Sequence, residues 1–294
     1  MEVLSPRTLQ EALEMRATNP GAVPIAGGTD LMVEINFDRR RPEVMIDVSR
    51  LPELTRWVDE DGTLFLGAGV TYARILRELP HLRALAEASR TVGSPQIRNR
   101  GTVGGNLGTA SPAGDSLPVL AVHDAEIGLA SAARGERWLA WDAFLLGVKQ
   151  QALGPDELIV GARWRPIAGP QSFSKVGTRN AMVIAIANLC FAIDQDTRTV
   201  RVAVGSVAPT VVRARDAEAF LAAELDRGGA WDDLDAPPPP GAVEGFAERV
   251  QAAARPIDDI RGTAAYRRHA LGVLARRAVG WAFRERAEDS AMVS

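Results

Sequence analysis

Residues 93–115 read GSPQIRNRGTVGGNLGTASPAGD, and a shorter stretch, residues 26–30, reads AGGTD. The longer segment is too rich in Gly, Ser, Thr, Asn and Pro to hold regular structure for long, and loops of that length inside a domain are usually functional. Both segments centre on a glycine pair, Gly27-Gly28 and Gly104-Gly105. Paired glycines let successive backbone N–H groups approach and converge on an anion. Two such loops suit a pyrophosphate, whose charged groups need donors from both sides, and the hydroxyls of Thr29 and Thr102 add further hydrogen bonds. The expected ligand is a dinucleotide. Neither loop spells the G-x-G-x-x-G of a nicotinamide or flavin Rossmann site, and no P-loop is present, so an ordinary Rossmann or Walker protein is excluded. One Gly-Gly turn joins strands and helices in any protein; the weight rests on the two together.

Outward from these loops the chain alternates strands and helices. Thr8 and Glu11 form a capping-box pair ahead of Leu9, Ala12 and Leu13, which predicts a helix over about 8–18 that Asn19-Pro20-Gly21 stops. Val23–Ala26 reads as a strand running into the first glycine turn, and Leu31, Met32, Val33 and Ile35 as the helix after it. Val44–Val48, Leu64–Leu66, Ala125–Ser131 and Leu158–Trp164 are further strands, and Tyr72, Ile75, Leu76 and Leu79 recur at helical spacing behind a Thr71 cap. Pro166-Ile167-Ala168-Gly169-Pro170 marks a domain junction, placed near residue 168. Beyond it come strands at Val183–Ile193 and Thr199–Val204, a helix over about 214–225, and a surface connection from Asp226 to Gly241 that includes Pro237–Pro240. A last helix over about 263–284 is apolar on one face and arginine-rich on the other, the surface of a solvated or subunit-facing helix.

Composition narrows the function classes. The 294 residues are 46% hydrophobic and 24% charged, enough for a real core and for two domains. With 34 basic and 37 acidic side chains intermixed, the net charge of -3 provides no field for nucleic acid or an anionic membrane. The one cysteine, Cys190, precludes an internal disulfide and an iron–sulfur cluster held by this chain alone. His81, His123 and His269 are too scattered for a metal site of usual spacing. The N-terminus has no secretory pattern and no stretch approaches the ~20 apolar residues of a membrane span, so the expected location is the cytoplasm, with no transmembrane segment.

Five segments together resemble one family: AGGTDL (residues 26–31), SPQIRNRGTVGGNLGTASPAGDSLPVL (94–120), KVGTRNAMVIA (175–185), GSVAPTVVRA (205–214) and DIRGTAAYRRHALGVLARRA (259–278). In order and spacing they are similar to the FAD-binding medium subunit of bacterial molybdenum hydroxylases, of the carbon monoxide dehydrogenase and xanthine dehydrogenase type. The resemblance implies an α+β fold. Two α/β subdomains of the vanillyl-alcohol oxidase / CO dehydrogenase FAD-binding type, about 1–55 and 56–168, precede a C-terminal domain of antiparallel sheet and helices over 169–294.

Carried onto this sequence, Ile25, Ala26, Gly27, Gly28, Thr29, Asp30, Leu31 and Met32 wrap the FAD pyrophosphate. Thr102 with Gly104, Gly105 and Asn106 completes the cradle, Asp115 hydrogen-bonds the cofactor, Ile159 touches the flavin or its chain, and Lys175 lies near the flavin ring. As residue types alone, Asp115 has a second reading as a helix cap, Ile159 as a core residue and Lys175 as a solvated lysine. There are departures. Val92 stands where mammalian relatives stack an aromatic ring on adenine, Ser206 where a second glycine is common, and Val183 where many relatives carry Asp, which alters the flavin-ring environment.

The resemblance also implies partners: a large subunit with a molybdenum cofactor, a small subunit with two [2Fe-2S] clusters, a heterotrimer able to dimerise, and NAD, a quinone or oxygen as electron acceptor. Two other classes stay open. A self-sufficient flavin oxidase often links its flavin to His or Cys, and neither glycine loop holds one; a scaffold that has lost FAD fits poorly with intact AGGTD and TVGGN motifs.

Overall fold

The first helix, α1 (Leu9–Thr18), starts as its capping pair dictates: the Thr8 Oγ1 accepts the Glu11 N–H at 3.2 Å, and the Glu11 carboxylate accepts the N–H of Arg7 at 2.7 Å. The computed structural model describes residues 1–233 and 236–293, with the backbone alone from 287 to 293. Up to the second glycine loop the remaining elements are β1 (Glu2–Leu4), β2 (Val23–Ile25), α2 (Leu31–Asn36), β3 (Val44–Asp47), β4 (Trp57–Glu60), β5 (Thr63–Gly67), α3 (Tyr72–Glu78), α4 (Arg83–Thr91) and α5 (Pro95–Arg100). Then come α6 (Val103–Thr109), α7 (Ser116–Val122), β6 (Glu126–Ser131), β7 (Gly135–Ala140), α8 (Trp141–Phe144), β8 (Leu145–Gly147), β9 (Gln150–Gln151) and β10 (Leu158–Trp164). The C-terminal elements are β11 (Gln171–Val176), β12 (Ala187–Asp194), β13 (Thr199–Gly205), β14 (Val212–Arg213), α9 (Arg215–Arg227), α10 (Ala242–Ala253) and α11 (Ala264–Val293).

The chain forms two compact units, neither of them a single stretch of sequence. The first comprises Met1–Pro80, Val92–Ser111 and Asp124–Pro166; the second comprises His81–Thr91, Pro112–His123 and Ile167–Ser294. In the first unit a parallel sheet of order β1-β3-β2 packs with α1 around Ala12, Leu13, Ile46, Val48 and Leu51, joined by Leu158 and Val160 of β10. An antiparallel sheet of order β4-β5-β10-β6-β7 follows. Along β10 the side chains of Leu158 and Val160 are buried while Ile159 between them is half-buried, as a two-residue period requires.

Residues 93–115 hold more regular structure than their composition predicts. Ser94 and Thr102 cap α5 and α6 through their side chains, Pro95 occupies the first helical turn, and of the glycines of α6 packing demands Gly104. A Cβ on Gly104 would lie 2.5 Å from the Ala68 Cβ.

In the second unit the antiparallel sheet β11-β12-β13-β14 carries the core. Ala187, Leu189, Phe191 and Ile193 pack with Phe246, Leu221, Leu271 and Leu274 of the three C-terminal helices, and Phe191 meets Phe246 edge to face at 5.5 Å. The expected strand over 183–193 begins later, at Ala187. Met182 takes a left-handed backbone (φ 51°) and Ile184 is 54% exposed, so the chain there lies at the surface outside the sheet, and Ala185 and Ile186 turn inward only just ahead of the strand. Helices α4 and α10 are additions to the elements expected from sequence.

Candidate functional site

Strand β2 delivers the chain at Ile25, at the C-terminal end of a parallel strand, where α/β proteins place ligands. The first glycine loop follows immediately. Gly28 turns with φ +73°, flanked by Ile25 and Met32, whose side chains would lie 3.5 and 3.3 Å from an added Cβ. Gly27 is pressed against main chain: its missing Cβ would lie 2.5 Å from the carbonyl carbon of Arg100 and 3.0 Å from the nitrogen of Gly101. Glycine is therefore required at both positions, by conformation at one and by close approach at the other.

The two loops differ in what they offer a ligand. At the start of α6 the N–H groups of Val103, Gly104, Gly105 and Asn106 donate to Val70 O (3.3 Å), Ala68 O (2.9 Å), Thr102 Oγ1 (2.9 Å) and Thr102 O (3.0 Å). In the first loop, among the described residues, the N–H groups of Ala26, Gly27, Gly28, Thr29, Asp30 and Leu31 have no protein acceptor; main-chain bonding resumes with Met32 N–H to Gly28 O and Val33 N–H to Asp30 O, both at 3.0 Å. Such a run of uncommitted donors at a turn is what an anion nest is made from. What α6 offers instead is a bare surface. A Cβ on Gly105 would meet only Thr102 Oγ1, at 3.2 Å, and one on Gly108 only Ile159 Cδ1, at 3.7 Å. Thr109 Oγ1 donates to Asp30 Oδ2 at 3.2 Å, so the two loops meet directly.

Ile25 through Met32, Thr102, Gly104, Gly105, Asn106 and Ile159 therefore all belong to one constellation in the first unit. Asp115 and Lys175 belong to the second unit and meet each other. The Lys175 ammonium, 6% exposed, lies 2.6 Å from Asp115 Oδ2 and also donates to Thr91 O (2.8 Å) and Val183 O (3.2 Å), so each of its three N–H groups has a protein acceptor. Asp115 makes no cap to α7; Asn188 Nδ2 donates to its Oδ1 at 3.2 Å and Thr91 Oγ1 to its Oδ2 at 3.3 Å. Burial raises the Asp115 carboxyl above its ordinary pKa, and the Lys175 charge opposes that rise.

Sequence reasoning passed over Asn188, Lys149 and Gln151. Asn188 lies in an otherwise apolar strand and is wholly buried, the one signal that marks it. Among the described residues no cluster of His, Cys, Asp and Glu could hold a metal ion, and no helix is long and apolar enough to cross a membrane. Cys190 is fully buried, and burial pushes its thiol pKa up.

A run of uncommitted N–H groups beside a glycine-lined helix, within parallel and antiparallel sheets, has the build of a dinucleotide-binding α+β protein. Comparison with known proteins makes this specific. Residues 1–163 match the FAD binding domain in molybdopterin dehydrogenase, and residues 172–282 match the CO dehydrogenase flavoprotein C-terminal domain. The chain is 38% identical over 206 residues to the nicotinate dehydrogenase FAD-subunit of Eubacterium barkeri, covering 66% of this chain and 69% of that one. It is 30% identical over 283 residues to the nicotine 6-hydroxylase medium subunit of Paenarthrobacter nicotinovorans, covering 94% of each. A solved carbon monoxide dehydrogenase from Hydrogenophaga pseudoflava superposes with a TM-score of 0.85 at 28% identity, covering 97% of both chains. The chain belongs to the FAD-binding medium subunits of the molybdenum hydroxylase family; it is the flavoprotein component of an oxidoreductase, and FAD is its cofactor.

Proposed function

We propose that this subunit receives electrons from the [2Fe-2S] clusters of a small partner subunit and passes them on to NAD, a quinone or oxygen. A large subunit with the molybdenum cofactor oxidises the organic substrate, and the three form a cytoplasmic heterotrimer able to dimerise. FAD supplies the chemistry that links one-electron donors to two-electron acceptors. The partners are supported by relatives named as medium or FAD subunits.

The chain's own contribution is to bind and orient. The observation that carries the reading is the run of uncommitted N–H groups from Ala26 to Leu31, which fits a pyrophosphate, with the hydroxyl of Thr29 beside it. The face of α6 at Gly105 and Gly108, with Asn106 and the side chain of Ile159, fits the stem of the dinucleotide, and Thr102 and Gly104 hold that helix in place. Asp115 and Lys175 enter on the likeness of their motifs, Lys175 acting by fixing the Asp115 carboxylate. Residues 1–168 are the FAD-binding domain in this reading, and 169–294 the C-terminal domain. Family models ending at 163 and starting at 172 support that division.

The test is an absorption spectrum of the purified chain before and after acid precipitation. Flavin bands that move into the supernatant as FAD are expected; a colourless chain that takes up no added FAD would sink the proposed site.

A further inference from the structure

The hairpin of β8 and β9 ends at Gly147-Val148-Lys149, and nothing in the FAD motifs includes it. Lys149 sits at the tip with a left-handed backbone, φ 55°. Its N–H donates to the carbonyl of Ala110 at 3.0 Å, and Gln151 Nε2 donates to the carbonyl of Gly108 at 3.2 Å, so the hairpin is fastened to the C-terminal end of α6. From that fixed backbone the Lys149 side chain reaches Glu34 on α2, Nζ to Oε1 2.7 Å. One residue thus joins the helix after the first glycine loop to the C-terminal end of the helix that carries the second glycine pair. The same end of α6 also meets the first glycine loop itself, through Thr109 and Asp30 at 3.2 Å.

We infer that Lys149 is a positioning residue for the cofactor site: the clasp Ala110–Lys149–Glu34 holds α2 against α6 and so fixes the nest of N–H groups relative to the glycine face, without Lys149 touching FAD. The inference rests on the proposed placement of FAD at those two loops. It follows from connectivity. α2 has only six residues and no buried side chain, so little packing holds it, and an external tie has a correspondingly larger share in setting its position. Arg40, 3.8 Å from the other Glu34 oxygen, is a neighbour on α2's own chain segment and cannot tie α2 to α6.

The size of the effect is bounded by exposure. The Lys149 and Glu34 side chains are 53% and 24% exposed, and ion pairs at such sites shift an equilibrium by up to about fivefold.

The experiment measures FAD release rate and affinity by flavin fluorescence on the full 294-residue chain, with Lys149→Met, Glu34→Gln, the double variant and Lys149→Arg, and records the thermal midpoint of each apoprotein. Expected are a twofold to fivefold faster release for each single variant, on the order set by exposed pairs, a double variant no worse than either single, recovery in Lys149→Arg, and unchanged apoprotein midpoints. Multiplying effects in the double variant would overturn the inference. So would unaltered release in the single variants, or a fall in midpoint matching the loss of affinity. Loss in Lys149→Met with unchanged or tighter binding in Glu34→Gln would show instead that Lys149 touches the cofactor directly. Failure of the parent chain to bind FAD would sink the proposed site and the clasp together; a parent that binds normally beside unaffected variants removes the clasp alone.

Discussion

Gly27→Ala is the sharpest probe of how the cofactor loop is built. An added Cβ lies 2.5 Å from the carbonyl carbon of Arg100, closer still to its oxygen, whereas ordinary contact begins at 3.4 Å. Both sides are main chain, so neither can rotate away, and the loop and the end of α5 must part by about 1 Å to restore normal separation. Overpacking of this kind costs about 1–3 kcal/mol, and a clash of backbone with backbone belongs at the upper end. For a chain of this size each kcal/mol lowers the melting point by roughly 2–4 °C, so the apoprotein midpoint should fall by about 6–12 °C. Circular dichroism melting of the apoprotein measures it. Gly105→Ala is the matched control: its Cβ meets only Thr102 Oγ1, at 3.2 Å, so the apoprotein should melt within a few degrees of the parent while FAD affinity falls, because the new methyl stands on the face proposed for the ligand. A Gly27→Ala midpoint indistinguishable from the parent's would refute the close approach, and a Gly105→Ala chain with parental FAD affinity would remove that face from the site.

Two further outcomes follow from buried or paired charge. Lys175→Met leaves Asp115 buried without its cation and should destabilise the chain by about 3–5 kcal/mol in urea titration, with Lys175→Met/Asp115→Asn recovering part of the loss; equal stability of single and double variants would contradict the pairing. Arg137, helped by the Gly154 N–H and Arg134 and opposed by burial, holds the Glu157 carboxyl down at about 2 against an ordinary 4.5. A carboxyl depressed on folding contributes stability that is complete above its unfolded pKa and lost as pH falls through the folded one. Glu157→Gln should therefore be less stable than the parent at neutral pH, with the gap closing between pH 4.5 and about 2; a gap that stays constant through that window rules the linkage out.

The sequence made the local signals legible and the long-range ones not. Thr8 and Thr71 each announce a helix by a hydroxyl at the right offset, and each accepts the expected N–H; Thr102, read from sequence as part of a phosphate cradle, caps α6 in the same way. The two glycine loops were recognisable as a pair because glycine is needed where backbone meets backbone. Which loop keeps its N–H groups free was hidden, since the acceptors that engage α6, Ala68 and Val70, come from a distant stretch of chain. Lys175 resembles any surface lysine until folding surrounds it with Thr91, Asp115 and Val183. The run VIAIANLCFAI (residues 183–193) reads as one strand because hydrophobicity alone cannot distinguish the surface segment with exposed Ile184 from the sheet it leads into. Lys149 has no motif; only the hairpin's fastening to Ala110 gives its charge a purpose.

The interleaving of the two units bears on how the chain is made. All seven residues of α7 are buried, packed against β12 and β13, which the ribosome delivers only after the whole of β6 to β11. α4 likewise waits for β11. A nascent chain must therefore carry an apolar helix without its sheet through the synthesis of the intervening strands. The same dependence means that a fragment ending at residue 168 would hold two orphaned helices, and one starting at 169 a sheet missing part of its cover. Deletion boundaries for this protein are better drawn from that weave than from the linear division of the sequence.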